Sequence, residues 1–479
     1  MAEPMRTPPT PTPSVIELVD PAGNPYLQGV FAPVAEELDA DALQVEGHVP
    51  TELRGSYLRN GPNPQFTPLG SYTYPFDGDG MIHMVTFEGG HVRYRNRWVA
   101  TRGLVAERRA GHALYGGTFT PIVPDPARIG PDGDPNPFKN WANTNVVRHC
   151  GKVLALYEGG LPYELTPALE TVGEVDYEGL LPTAMCAHPK LDPIWDELCF
   201  FRYDVVPPYL VYGVVGPKGR ITRTEPIDLP DPVMIHDFVV TDQHVVFFDS
   251  PAVFDLDAMT HGGPVLAWRE NRGTRIGVMN REGDPRVVWI PVEDCYAMHF
   301  LNGYTEGETV VVDYVYRRRL DLVGSSPDNA PRMHRAVIDL SRRSVRDELV
   351  DHRTVEFPRI DDRRTGLHHR VGYAAAVTHP DGVKGGSFDT IVRYDVDSGT
   401  SSEHRFPPGV VVGEPVFAPR PGGWDEDDGW LLVFAYDLAR DRSDLVILDA
   451  ARVASSPVAV VHLPARVPAG LHGNWFPAE

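Results

Sequence analysis

The chain has 479 residues, with 44 basic and 66 acidic side chains and a net charge of −22. That acidity repels nucleic acid and argues against bulk binding to anionic membranes, and no apolar run approaches the roughly 18 to 20 residues of a membrane-spanning helix. Four cysteines (Cys150, Cys186, Cys199, Cys295) without a CxxC pair argue against a disulfide framework and a zinc–thiolate site, which fits a cytoplasmic protein.

The 45 glycines and 47 prolines place a turn-former about every five residues, the punctuation of many short strands. Met1 to Ser14 is rich in Pro and Thr and reads as part of a disordered tail covering 1–25, with 26–479 as a single domain. The stretch 15–47 is acidic and irregular. After the turn-rich 59–64, the Asp77-Gly78-Asp79-Gly80 turn leads into an alternating strand (Ile82 to Phe87), Gly89-Gly90 and a second strand (Val92 to Val99), which is a hairpin. His83 belongs to that hairpin. The unit recurs at 144–157, 235–249, 298–316, 390–399 and 430–449, among about a dozen hairpins at irregular spacing, most blocks being 45 to 70 residues. That spacing predicts an all-β propeller of four-stranded blades with long loops on one face. Helical periodicity is weak, and Leu104 to Ala110 is its best stretch. The charge runs at 317–319, 359–364 and 425–428 read as solvated loops, and the last is too local and Gly-poor for an EF-hand.

Four histidines stand in similar apolar, strand-like surroundings: Ala187-His188-Pro189, Ile235-His236-Asp237, Met298-His299-Phe300 and Leu471-His472-Gly473. Any one alone reads as a core histidine; all four together could converge on one metal. Imidazole suits iron, copper and zinc. Such ligands need carboxylates or carbonyls behind them to fix tautomer and aim. Glu158, Glu356 and Glu414 stand at strand ends where they could serve, and each alone reads equally well as an edge ion pair.

From about Tyr57 to Phe476 the sequence resembles the carotenoid cleavage oxygenase family. The likeness rests on RNGPNP (59–64), FDGDGMIH (76–83), ANTNVV (142–147), LALYEGG (154–160), AHPKLDP (187–193), IHDFVVT (235–241), MHFLNGY (298–304), EFPRI (356–360), GEPVFAPR (413–420) and LHGNW (471–475), in family order. The resemblance implies a seven-bladed β-propeller, its loops forming a cap over the metal face, with one Fe(II) per chain on the axis. The implied ligands are His188, His236, His299 and His472, and the implied outer partners are Glu158, Glu356 and Glu414, leaving His188 without a carboxylate. Thr144 falls where the family has a small side chain beside a vacant iron position. The implied reaction is O2-dependent cleavage of one C=C bond into two carbonyl products.

Lignostilbene-cleaving members tend to carry Lys before the first of those glutamates; this chain has Tyr157. That favours a carotenoid or apocarotenoid, with a stilbene as the alternative. Phe66, Trp98 and Met298 are further substrate-contact candidates, with Tyr72, Phe119, Trp141 and Tyr209 as tunnel candidates. Ala113 to Val123 and Val205 to Val215 are candidates for peripheral membrane contact at a tunnel mouth. Competing readings are a retinoid isomerase-like relative and a metal-free binding scaffold.

Overall fold

A computed structural model describes residues 17–261, 264–321, 327–379 and 388–478. The first 16 residues of the expected tail lie outside this set. The rest of it lies against the protein, where Leu18 bridges Leu69 and Val19 N–H donates to Pro68 O (2.9 Å).

Among the described residues seven antiparallel sheets of four or more strands form the blades of a propeller, with one extra two-stranded ribbon (Ala252–Phe254 with Leu266–Trp268). The blade Lys190–Asp192, Glu197–Tyr203, Leu210–Val215 and Ile221–Ile227 shows why such sequences form blades. Its middle strand Leu210–Val215 is apolar and buried along its whole length, since neighbouring blades cover both faces. Its outer strand Ile221–Ile227 alternates half-buried and exposed residues, as an edge against solvent requires. The large apolar clusters lie between blades: one joins Val147, Leu154, Phe200, Tyr212, Phe238 and Phe247.

The ring closes twice. Gly473–Pro477 pairs with Gly55–Arg59, so the chain end lays the innermost strand onto a blade begun near the start. Val45–Gly47 pairs with Ala459–His462 at the rim of the neighbouring blade. The helix Arg102–Ala110 matches the weak periodicity; Thr101 caps it by accepting Leu104 N–H (3.2 Å), and Gly111 ends it at φ 75°. It belongs to the long connection 99–143, which with the segments 60–80, 250–261 and 264–273 builds a cap on one face.

All three charge runs hold residues that are not solvated as expected. Asp427 and Glu426 bind Arg393 (2.5 Å) and the backbone of Arg370 and Val371. Arg317 and Arg359 turn inward. Their side chains are 17% and 13% exposed, because buried carboxylates await them.

Candidate metal centre

The innermost segments of the seven blades carry Thr144, His188, His236, His299, Glu356, Glu414 and His472, with His299 and Glu356 inside strands and the others within three residues of one. There the pairing is interrupted. His299 lies within a register shift between Ala297 and Phe300, and Glu356 opens one that ends at Arg359. Glu414 sits between Val410–Val412 and Val416–Pro419, both of which pair with the same strand, Gly429–Asp437. A bulge re-aims a side chain that regular pairing would hold against a neighbouring blade.

One ring nitrogen of each histidine lies within 4.8 Å of the others, and the cluster fits a metal site. Three rings are fixed from behind. His236 Nδ1 stands 2.7 Å from Glu158 Oε2, His299 Nδ1 2.6 Å from Glu356 Oε2, and His472 Nδ1 2.9 Å from Glu414 Oε1. Burial alone would raise the pKa of Glu356, but the His299 and Arg317 charges outweigh it and hold the carboxyl at about 2. Arg359 and His472 hold Glu414 at about 2 against the same opposition. These ionised carboxylates accept, so Nδ1 carries a proton, and in the neutral imidazole that leaves the Nε2 lone pair free for a metal. Among the described residues no carboxylate bonds His188. Its Nε2 stands 3.0 Å from His236 Nε2, and burial plus the other imidazoles pushes its pKa well below the ordinary range. His299 Nε2 is buried without a partner. Four buried imidazoles thus turn ring nitrogens toward one point, and one of these nitrogens has no partner within the protein. The donor set therefore fits a divalent transition metal.

Behind the carboxylates stands another set of groups. Tyr203 Oη donates to Glu158 Oε1 (2.8 Å), Arg317 lies 3.7 Å from Glu356, and Arg359 lies 3.2 Å from Glu414. Phe357 N–H donates to Glu356 (2.9 Å), and Gly473 N–H to Glu414 (2.8 Å). Phe357 itself has φ 54°, rare for a bulky residue, with its ring 5.9 Å from His299 and 5.4 Å from His472. Sequence reasoning assigned no role to Tyr203, Arg317, Phe357 or Arg359. The EFPRI stretch held two of them, but only the inward turn of the strand reveals what they touch.

The substrate candidates separate. Met298 precedes His299 and joins an apolar cluster of Met234, Tyr296 and Leu320 with Phe76, Phe254 and Trp268 around it. Phe119 packs edge-on to Phe76 (6.0 Å). Tyr157 precedes Glu158; its ring lies over Gly159, where a Cβ would stand 2.8 Å away, and burial pushes its phenol pKa up. Thr144 is buried, its hydroxyl donating to Asn143 Oδ1 (2.9 Å) and its carbonyl accepting His472 N–H (3.1 Å). Trp98 packs with Met81 and Leu104, with Phe66 against them, and its indole donates to Asn63 O (2.8 Å). Phe66, Tyr72 and Trp141 line a small separate cavity in the cap. His83 bonds Tyr94 Oη (2.8 Å) within its hairpin, away from the four histidines.

Of the two membrane candidates, most residues are interior. Leu114 and Tyr115 are buried and Leu210–Val215 is a blade strand, so the exposed apolar residues are Val123 (76% exposed), Val206 (59%), Pro207 and Pro208.

Residues 31–477 match the sequence profile of the family described as retinal pigment epithelial membrane protein. The chain is 35% identical to the carotenoid cleavage oxygenase of Mycobacterium tuberculosis, over 95% of this chain and 98% of that one. Its fold matches the Pseudomonas brassicacearum lignostilbene dioxygenase with a TM-score of 0.87 at 30% identity, covering 95% and 99% of the two chains. It matches the cobalt-substituted apocarotenoid oxygenase of Synechocystis with a TM-score of 0.83 at 29% identity, covering 93% and 97%. With likeness over nearly the full length, seven blades and four histidines meeting on the axis, the chain belongs to the family of retinal pigment epithelial membrane protein and the carotenoid oxygenases.

Proposed function

We propose that the protein is a non-haem Fe(II)-dependent dioxygenase, with one iron per chain, that cleaves a C=C bond of a carotenoid or apocarotenoid with O2 into two carbonyl products. The observation that carries this is the ring of four imidazoles, three of them bonded through Nδ1 to a carboxylate, with Met298 of an apolar cluster next to His299 in the chain. In this reading His188, His236, His299 and His472 hold the metal, and Glu158, Glu356 and Glu414 keep Nδ1–H pointing away from it. Bound iron supplies open coordination positions for O2 beside the double bond. All-neutral ligands leave it its full positive charge. Thr144 heads the neighbouring strand and limits which position stays open. Met298, Phe76, Phe254 and Trp268 press the substrate against the metal face and exclude water. Tyr157 adds an apolar ring with a neutral hydroxyl.

Anaerobic Fe(II) reconstitution, followed by mass spectrometry of products from carotenoids, apocarotenoids and hydroxystilbenes, tests the reading. One iron per chain and paired aldehyde products are expected, with both lost in His236→Ala and His299→Ala while the β-rich fold remains. Full activity in either variant would remove that residue from the site.

A stilbene is the second reading, favoured by the 0.87 TM-score to a lignostilbene dioxygenase. Tyr157 decides between them. Its raised pKa keeps it an uncharged donor, whereas a Lys there would offer a charge-assisted bond to a phenolate worth about 1.5–3 kcal/mol. Selectivity (kcat/KM) should favour an apocarotenoid over a 4-hydroxystilbene, and Tyr157→Lys should move it roughly tenfold or more toward the phenol. A wild-type preference for the stilbene overturns the polyene assignment and leaves the iron site standing.

A further inference from the structure

The face of the histidine ring opposite the apolar cluster opens into a cavity of about 130 Å³. It is walled by residues that follow the axis residues on their strands: Lys190, Asp237, Asn302, Arg359 and Asn474, with His188, His299, His472 and Glu414 at its upper end. Innermost strands run away from the cap beyond their histidines, so the cavity follows the propeller axis toward the other face. Asp362 and Thr365 stand at its far end, on the loop 361–367. That loop is tied to neighbouring blades. Asn302 Nδ2 donates to Leu367 O (2.8 Å), Gly366 N–H to Asn302 Oδ1 (3.0 Å) and Asp242 N–H to Gly366 O (3.1 Å). The Asp362 side chain is 55% exposed although its loop closes the ring of blades.

The two approaches to the histidines differ in chemistry. On the cap side lie Met298, Phe76, Phe254 and Trp268, which offer a hydrated ion nothing in place of its water. Along the axis, charge is carried in pairs. Lys190 Nζ is 2.7 Å from Asp237, and Arg359 is shared between Glu414 and Asp362, 3.2 Å from each. Three carboxylates against two cations leave the wall negative. The cavity has room for several waters.

We infer that this axial cavity is the route by which a hydrated divalent cation reaches the four histidines, with Asp362 as its entry residue and the cap side left to apolar substrate. The inference rests on the reading of the histidines as a metal centre. A cation arriving from the Asp362 face passes Asp362, Asp237 and Glu414 between apolar stretches of wall, and sheds water only where the imidazole nitrogens replace it. The protein's net charge of −22 adds attraction at longer range.

The test is Co(II) uptake by the apoprotein, followed by stopped-flow absorption, with the bound metal measured separately at equilibrium. Thr365→Trp, which fills the far end, should slow uptake about tenfold or more while the equilibrium content stays near one per chain. Asp362→Asn should slow it several-fold and flatten its salt dependence, as loss of a steering charge does. Phe254→Trp, which narrows the cap side, should leave the rate unchanged. Wild-type uptake rates in both axial variants, or slowing in Phe254→Trp alone, would overturn the route. A wild-type protein that binds no Co(II) at equilibrium would remove the metal centre itself, a result read from the end point and not from the rate.

Discussion

Glu414 accepts two hydrogen bonds from adjacent groups of the closing strand, His472 Nδ1–H and Gly473 N–H, and Arg359 stands against its other side. Glu414→Gln keeps the shape but offers an amide where a charged acceptor held the imidazole tautomer. Metal affinity or activity should fall about 10- to 100-fold, as loss of such an outer partner usually costs. The same charge matters to folding. With a folded-state pKa of about 2 against an ordinary value of 4.5, ionised Glu414 stabilises the apoprotein fully above about pH 4.5. That contribution fades as pH falls toward 2. Urea unfolding of wild type and Glu414→Gln across this window should show a stability difference that shrinks on acidification; a difference constant with pH would mean the carboxyl is not held low.

At the scale of elements, the blades need nothing unusual, since apolar middle strands and alternating outer ones specify them. The cap is held differently. Lys139 is wholly buried, with its ammonium bonded to Asp79 from the segment 60–80 and to Glu107 from the helix Arg102–Ala110. It also lies 4.6 Å from the centre of the Trp141 ring. One cation thus staples three parts of the cap. Replacing it leaves two buried carboxylates facing each other, and breaking a buried pair this way costs about 3–5 kcal/mol. Lys139→Met should therefore lower unfolding free energy by that order, measured by denaturant titration. A cost under about 1 kcal/mol would mean the carboxylates simply take up protons.

The whole molecule is a ring whose closure and function share one strand. Gly473 pairs with Arg59 directly after His472, so the end of the chain both seals the propeller and delivers the last of the four imidazoles. Among the segments expected to meet lipid, the projecting apolar points are Val123 in the cap and Val206, Pro207 and Pro208 on a blade loop. A membrane contact built on them is small. Partitioning to neutral liposomes should be weak, and Val123→Glu with Val206→Glu should abolish it without changing kcat on a detergent-solubilised substrate. Equal partitioning of the double variant would place the contact elsewhere.

The sequence by itself determined the class of fold and which side chains could carry chemistry. Strand alternation and turn spacing are local, and His188, His236, His299 and His472 could be singled out because each stands in apolar, strand-like surroundings. The tertiary structure alone decided how these pieces meet. Whether Glu158 lies behind His236, 78 positions away in sequence, depends on how blades are stacked around an axis. The inward turn of Arg317 and Arg359 follows the same logic. Arginine runs read locally as solvated, and only a buried carboxylate delivered by another segment reverses that. Trp98 and Phe66 went the other way. Their aromatic surface suits a substrate wall or a core equally well by sequence, and the structure packs both against Met81 and Leu104. The axial cavity has no local signature at all, because its wall is one or two residues from each of several strands and comes together only when the last strand closes the ring.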